Sequence, residues 1–170
     1  MHPERGLPAS AAIGHRCKQY RVRGPRMLSM AYLSSASVPY SDEDLADLLL
    51  HSRANNGRLG LTGMLLYRDG QFLQVLEGPD EVVRERYEVI SADARHRDVH
   101  KLLESQITER QFPEWTMGFR AMTDVVVADI PGYADFFGSR SARLDGTQKA
   151  NRARLLLEWF RHHSFVPAAV

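Results

Sequence analysis

Apolar and polar positions alternate along the middle of the chain in a way that separates strands from helices. The apolar run Met27–Leu33 predicts a first strand. Ser41, with Asp44 three positions later, is a helix-capping pair that begins a helix. Helical spacing then continues to Asn56, and Gly57 predicts the end of that helix. Asn56 therefore falls on the apolar stripe of the first helix.

The second part of the pattern is a hairpin, a further helix and two more strands. The sequence Arg68-Asp69-Gly70 is typical of a tight hairpin turn, and Pro79 with two following acids is typical of a helix start. The elements predicted here are strands Leu61–Tyr67 and Gln71–Glu77, a helix from Pro79 to His96–Asp98, and strands Lys101–Thr108 and Trp115–Met122.

The order of these elements is β-α-β-β-α-β-β. This order predicts an α+β, ferredoxin-like sheet with both helices on one face and one extra strand. A helical C-terminal tail is expected over 123–170, with a short helix at Pro131–Phe137, a polar linker at Ser139–Gly146 and a helix from Thr147 to His162. Since the second face of the sheet is otherwise bare, we expect the tail or a partner to cover it. The apolar face of the last helix consists of Ala153, Leu156, Leu157 and Phe160.

Charge divides the 170-residue chain into a basic head and a mildly acidic remainder. Six of the 22 Lys and Arg residues precede Met27, together with one acid, Glu4. We expect residues 1–26 to be a basic, disordered arm; a start at Met27 and a transit peptide are alternatives. A folded sensor unit is expected over 27–122 and the tail over 123–170. The remainder of the chain is mildly acidic, which argues against nucleic-acid binding by the core.

The cysteine content and the lengths of the apolar runs argue against an oxidising compartment and a membrane span. The chain has one cysteine, Cys17, which excludes an internal disulfide framework and fits a reducing, cytoplasmic location. No apolar run approaches the roughly 18 residues of a membrane span. No Cys and His cluster has the spacing of zinc ligands, so no metal is expected.

Three polar side chains interrupt the apolar elements: Tyr32, Asn56 and Gln74. A buried polar group without a partner costs about 1–3 kcal/mol, so three of them in one core indicate a site for a flat ligand with several hydrogen-bonding atoms. The period of two in strands predicts that Tyr32, Gln74, Trp115 and Met117 line one interior beneath Asn56. Each residue taken alone is more typical of an ordinary core or turn position.

Taken together and in order, these stretches resemble the BLUF family of blue-light sensors that use FAD. The resemblance extends roughly from Met27 to Met122, and the tail is similar to that of short, single-domain members. The matching stretches are Ala31-Tyr32, Asn55-Asn56 with Leu61-Thr62-Gly63, Phe72-Leu73-Gln74-Val75-Leu76-Glu77-Gly78, Asp93-Ala94-Arg95-His96 and Phe112-Pro113-Glu114-Trp115-Thr116-Met117.

The resemblance implies that the isoalloxazine ring of FAD lies between the two helices. It places Asn56 and Asn55 against the pyrimidine edge of the ring, and Asp93, Arg95 and His96 near the ribityl and phosphate groups. Val89 stands where some members carry a polar residue, so that contact is expected to be missing.

The implied mechanism is a light-induced hydrogen-bond switch. The Tyr32 phenol gives up and regains an electron and a proton, and Gln74 emerges rotated or tautomerised. Trp115 and Met117 would relay the change to the tail of a homo-oligomer and from there to an unidentified downstream protein, without an enzymatic step in this chain.

Two other interpretations remain open at this point. One is a flavin-dependent oxidoreductase on the same fold, although the chain has no Gly-x-Gly-x-x-Gly turn for a dinucleotide. The other is a light-insensitive interaction module, against which the presence of Tyr32 and Gln74 argues.

Overall fold

The computed structural model describes residues 26–121 and 144–162. The arm 1–25, the predicted helix Pro131–Phe137 and most of the predicted linker lie outside the described residues. Within them, the chain forms five strands and three helices. These are β1 (Met27–Ala36), α1 (Asp42–Leu59), β2 (Thr62–Arg68), β3 (Gln71–Pro79), α2 (Asp80–Ser91), β4 (His96–Ile107), β5 (Gly118–Ala121) and α3 (Gly146–His162).

The five strands form a single sheet in the order β4-β1-β3-β2-β5. β1 is antiparallel to both β3 and β4, and β2 is antiparallel to β3. β5 adds to the edge of the sheet parallel to β2. The predicted α+β, ferredoxin-like arrangement with one extra strand is therefore confirmed.

Helix α1 begins where the sequence predicts and ends later. The Ser41 hydroxyl accepts from the Asp44 N–H, and the Asp44 carboxylate accepts from the Ser41 N–H, which is a capping box. The predicted stop at Gly57 is wrong. The helix runs on to Leu59, and Gly60 ends it in the left-handed conformation at φ 66°, which glycine adopts without a steric penalty.

Helix α2 is shorter than the sequence predicts. It ends at Ser91, and β4 already begins at His96, so the expected end at His96–Asp98 is wrong. The Asp93 carboxylate accepts from the Arg95 N–H at 2.9 Å, a local bond that competes with helix continuation. The three predicted phosphate-end residues thus lie in the α2–β4 turn and at the first residue of β4.

The two faces of the sheet pack against different layers. On the helix face, α1 and α2 cover a core that includes Tyr32, Phe72 and Met117. On the other face, α3 buries its apolar side, and this bears out the expectation that the tail covers the sheet. The predicted helix from Thr147 to His162 is confirmed with a start one residue earlier. The buried α3 side chains are Ala153, Leu156, Leu157 and Phe160.

No helix within the described ranges 26–121 and 144–162 is long and apolar enough to cross a membrane. In the same ranges no group of His, Cys, Asp and Glu side chains is arranged to hold a metal ion.

Candidate cofactor-binding site

The centre of the site is a side-chain pair on two neighbouring strands. Tyr32 in β1 and Gln74 in β3 are directly opposite each other in the antiparallel register. Cross-strand partners have their Cβ atoms within about 5 Å, so the two side chains meet on the helix face. The Tyr32 hydroxyl donates to Gln74 Oε1 in a short hydrogen bond. Both residues are buried, Tyr32 completely.

The surroundings of Tyr32 keep its phenol protonated. Burial raises the pKa of Tyr32 far above its usual range, and the nearby Arg86 guanidinium lowers it by a smaller amount. The ring of Tyr87 meets the Tyr32 ring edge-on, with 5.2 Å between centroids. Tyr32 is therefore a neutral hydrogen-bond donor that is held rigidly by packing.

Gln74 connects this pair to the segment before β5. Its Nε2 donates to Met117 Sδ at 3.6 Å. The Met117 backbone carbonyl in turn accepts from Arg53 Nε of α1 at 3.1 Å. A polar path therefore runs from Tyr32 through Gln74 to Met117 and α1.

Asn56 lies on the buried stripe of α1, as predicted, and is 1% exposed. Its Nδ2 donates to the Thr116 carbonyl at 2.7 Å. A carboxamide has two N–H donors and an acceptor oxygen, so Asn56 can hold this segment and still bond a ligand. Asn56 therefore links α1 to the segment before β5 and still has polar atoms for a ligand.

A cleft of about 220 Å³ opens between α1 and α2 above Gln74. Its polar lining includes all three predicted amides, Asn55, Asn56 and Gln74. Asn55 is half-buried, while Val89, also in the lining, is 54% exposed. The remaining lining residues are Leu48, His51, Ser52, Leu65, Phe72, Arg86, Ile90, Asp93, Arg95 and His96.

The other predicted ligand residues lie at the outer end of this cleft. Arg95 Nη2 and Nε contact the Asp93 carboxylate at 2.6 and 3.0–3.1 Å, and this side-chain bond lowers the pKa of Asp93 to about 2. His96 lies 2.9 Å from Ser34 Oγ through Nδ1 and packs on Phe72. Burial lowers the pKa of His96, which favours the neutral imidazole.

A second cleft of about 350 Å³ continues from this end and shares Leu48, His51 and Arg95 with the first. Tyr40 and the carboxylates of Asp44 and Asp47 contribute to its lining. The two clefts together form an elongated recess that runs outward from Gln74.

The expectation that Trp115 shares the interior with Tyr32 and Gln74 is wrong. Trp115 packs with the α3 side of the sheet and stacks on Phe112 at 5.6 Å and 20°. β5 begins only at Gly118, so strand alternation does not extend back to Trp115. The indole lies over Gly118, where a Cβ would be 2.3 Å from its Cε3 atom. Of Trp115 and Met117, which are both expected to pass the change on to the tail, only Met117 faces Gln74.

Several lining residues were missed by sequence reasoning although helical spacing could have found them. Arg86 lies three and four positions before Val89 and Ile90 on the cleft face of α2. His51 and Ser52 similarly lie one turn before Asn55 and Asn56. Mixed polar and apolar residues on one helix face are the signal of a cleft instead of a dry core.

The fold and site define a cofactor-binding module with a buried tyrosine–glutamine pair at the floor of an interhelical cleft. The family model described as "BLUF: Sensors of blue-light using FAD" matches residues 27–118. The chain belongs to this family of blue-light sensors. The resemblance seen in the sequence is thereby confirmed.

Curated relatives match over 64–65% of the chain. Photoactivated adenylate cyclase subunit beta of Euglena longa is 36% identical over 110 residues, which are 64% of this chain and 13% of that protein. Subunit alpha of Euglena gracilis is 34% identical over 65% of this chain and 11% of its own length. The chain thus spans only a small part of the length of these relatives.

Solved structures show the same fold. BlrB, described as a BLUF protein in its dark state, aligns with a TM-score of 0.63 at 27% identity, over 79% of this chain and 98% of BlrB. The photo-activated state of BlsA aligns with a TM-score of 0.66 at 26% identity, over 82% of this chain and 98% of BlsA. A bacterial light-regulated adenylyl cyclase aligns with a TM-score of 0.62 at 32% identity, over 69% of this chain and 35% of the cyclase.

Proposed function

We propose that this chain senses blue light with FAD bound between α1 and α2, through a switch in the Tyr32–Gln74 hydrogen bond. The observation that carries the proposal is the buried relay in which Tyr32 donates to Gln74 and Gln74 donates to Met117. The relay lies at the floor of a cleft with an amide-rich lining. The proposal includes a sensor unit over 27–122 and a tail over 123–170.

The residues of the inner cleft fit a flavin ring. The pyrimidine edge of a flavin alternates carbonyl acceptors with an N–H donor, and the amides of Asn55 and Asn56 offer both kinds of group. Leu65 and Ile90 supply apolar walls for the ring. Asn55 and Asn56 are the residues that would hold the pyrimidine edge, and Gln74 would lie between Tyr32 and the ring.

The outer recess supports FAD over a shorter flavin. It adds about 350 Å³ to the inner cleft, and Arg95 stands where the two clefts join. A phosphate would have to compete with Asp93 for the Arg95 guanidinium. A related structure, BlrP1 of Klebsiella pneumoniae, is described with FMN, so the identity of the flavin must be measured in this chain.

A bound flavin supplies the absorption of blue light and a transient acceptor for an electron. Tyr32 is placed to pass its phenolic proton along the bond to Gln74 and to take it back. A rotated or tautomerised Gln74 presents a different donor to the cleft and changes its contact with Met117 Sδ. We expect a reversible red shift of the absorption, because the new donor stabilises the excited state of the ring more than its ground state.

We further propose that the output is a contact with another protein, made by the tail of a homo-oligomer, and that this chain performs no enzymatic reaction itself. Leu156, Leu157 and Phe160 do not form the contact surface, because all three are buried against the sheet. The outward side of α3, where Leu155 is 53% exposed, remains available. A cytoplasmic location is proposed on the single cysteine, Cys17.

The test is purification of the full chain, identification of the released flavin by chromatography, and comparison of Gln74→Leu with Gln106→Leu. Gln106 is exposed and bonds Asp80, so it is a matched control outside the cleft. We expect FAD in all three proteins and loss of the red shift in Gln74→Leu alone. A folded wild-type chain that stays colourless after addition of FAD would overturn the proposal.

A further inference from the structure

Glu77 is the one carboxylate that is completely buried among the described residues. It takes no part in the relay, the hydrogen-bonded path from Tyr32 through Gln74 to Met117. Glu77 points to the α3 side of β3, between its cross-strand neighbours Ser29 and Thr62. Its Oε2 accepts from the backbone N–H groups of Gln111 at 2.8 Å and Phe112 at 3.0 Å. Its Oε1 accepts from Ser29 Oγ at 3.1 Å. A buried carboxylate is costly, so a carboxylate that accepts three hydrogen bonds in this way indicates a specific task.

Arg110 donates hydrogen bonds to backbone and side-chain atoms around Glu77. Its Nη1 donates to Thr62 Oγ1 and to the Glu77 carbonyl, both at 2.8 Å, and its Nη2 donates to the Gly60 carbonyl at 2.6 Å. Burial raises the pKa of Glu77, and the N–H of Phe112 and the hydroxyl of Ser29 oppose that rise. Arg110 thus joins the end of α1, β2 and β3 to the start of the segment 110–117.

The far end of this segment is tied to the relay and to α1. Its Trp115 carbonyl accepts from the Gly63 N–H at 2.8 Å. The carbonyls of Thr116 and Met117 accept from α1 side chains, and Met117 Sδ meets Gln74. Between the two ends, Phe112 and Trp115 stack within the cluster beneath α3. The segment therefore touches the relay on one face of the sheet and the tail helix on the other.

We propose that Glu77 and Arg110 are positioning residues that hold the segment 110–117 so that a change at Gln74 is passed to α3. With the start of the segment fixed, movement of Met117 displaces Phe112 and Trp115 against α3. With the start released, the segment absorbs the same movement by itself. This inference rests on the proposed function, because it concerns the output of that switch.

The test compares Glu77→Leu, which removes both acceptors, with Glu77→Gln, whose amide oxygen can still accept from both N–H groups and whose NH₂ can donate to Ser29 Oγ. Glu114→Leu is the control, because Glu114 is an exposed carboxylate in the same segment. In the flavin-free protein, we expect the amides of residues 111 and 112 to exchange about tenfold faster or more in Glu77→Leu, because both N–H groups lose their acceptor. Glu77→Gln and Glu114→Leu should stay close to wild type.

In the flavin-loaded protein, we expect Glu77→Leu to keep the red shift and to lose the light-dependent change in hydrogen exchange over residues 146–162. Glu77→Gln should restore that change. A Glu77→Leu protein with wild-type light dependence at α3 would overturn the inference. If Glu77→Leu does not fold, Arg110→Gln decides, and an unaltered α3 response in that variant overturns it equally.

These outcomes are distinguishable from a failure of the proposed function. Absence of a red shift in the wild-type chain refutes the proposed function. A normal red shift in wild type, with α3 responses that are independent of Glu77 and Arg110, refutes only the positioning role.

Discussion

Replacement of Tyr32 by Phe separates the photochemical role of the phenol from its packing role. The aromatic ring and its edge-on contact with Tyr87 remain, so the core loses a single oxygen atom and no large cavity forms. Gln74 Oε1 then loses its donor inside the core. An unsatisfied buried acceptor costs about 1–3 kcal/mol, so the free energy of unfolding should fall by about that amount. The flavin should stay bound, because Tyr32 lies beneath the cleft and does not appear in its lining.

Two measurements on the same protein check this prediction. Urea unfolding gives the loss of stability, and the light-minus-dark spectrum reports the switch. Tyr87→Phe is the control, because it removes a neighbouring hydroxyl that does not bond Gln74. A Tyr32→Phe protein with a normal red shift, or with a stability loss no larger than that of Tyr87→Phe, would refute the reasoning.

Three further perturbations follow from the described contacts. Asn56→Ala removes the bond to the Thr116 carbonyl and should weaken both flavin affinity and stability by about 1–3 kcal/mol, measured by titration and unfolding. Phe160→Ala should cost about 3–5 kcal/mol because Phe160 is buried against the sheet, whereas exposed Leu155→Ala should change stability by less than about 0.5 kcal/mol. Burial lowers the pKa of His96 below 6.5, so its stabilising contribution is present above pH 6.5 and is lost as the pH falls through that lowered pKa; His96→Gln should flatten this part of the unfolding profile.

The central part of the fold could be predicted because local signals and global packing agree there. The Ser41–Asp44 cap, the hairpin turn at Asp69-Gly70 and the alternation in β1 and β3 each depend on residues close in sequence. The same alternation places Tyr32 opposite Gln74, since both strands are long and regular. Asn56 follows because its position on the α1 stripe is set by helical period alone.

The errors lie where tertiary contacts decide the local structure. Gly57 is tolerated inside α1, because the left-handed residue is needed only where the chain turns into β2, at Gly60. Trp115 leaves the relay side because the segment before β5 is not a strand and its indole occupies space over Gly118.

The sequence pattern shows Glu77 only as a strand end, since its partners at Gln111 and Phe112 are more than thirty residues away. No local pattern in the sequence reports such a contact.

The most direct test of the central claim is the absorption spectrum of the purified, flavin-loaded wild-type chain before, during and after blue illumination. The account predicts a red shift of the flavin bands that appears in the light and reverses fully in the dark, without bleaching of the oxidised flavin. A folded chain with stoichiometric flavin and the Tyr32–Gln74 pair intact, whose spectrum is the same in light and dark, would contradict it.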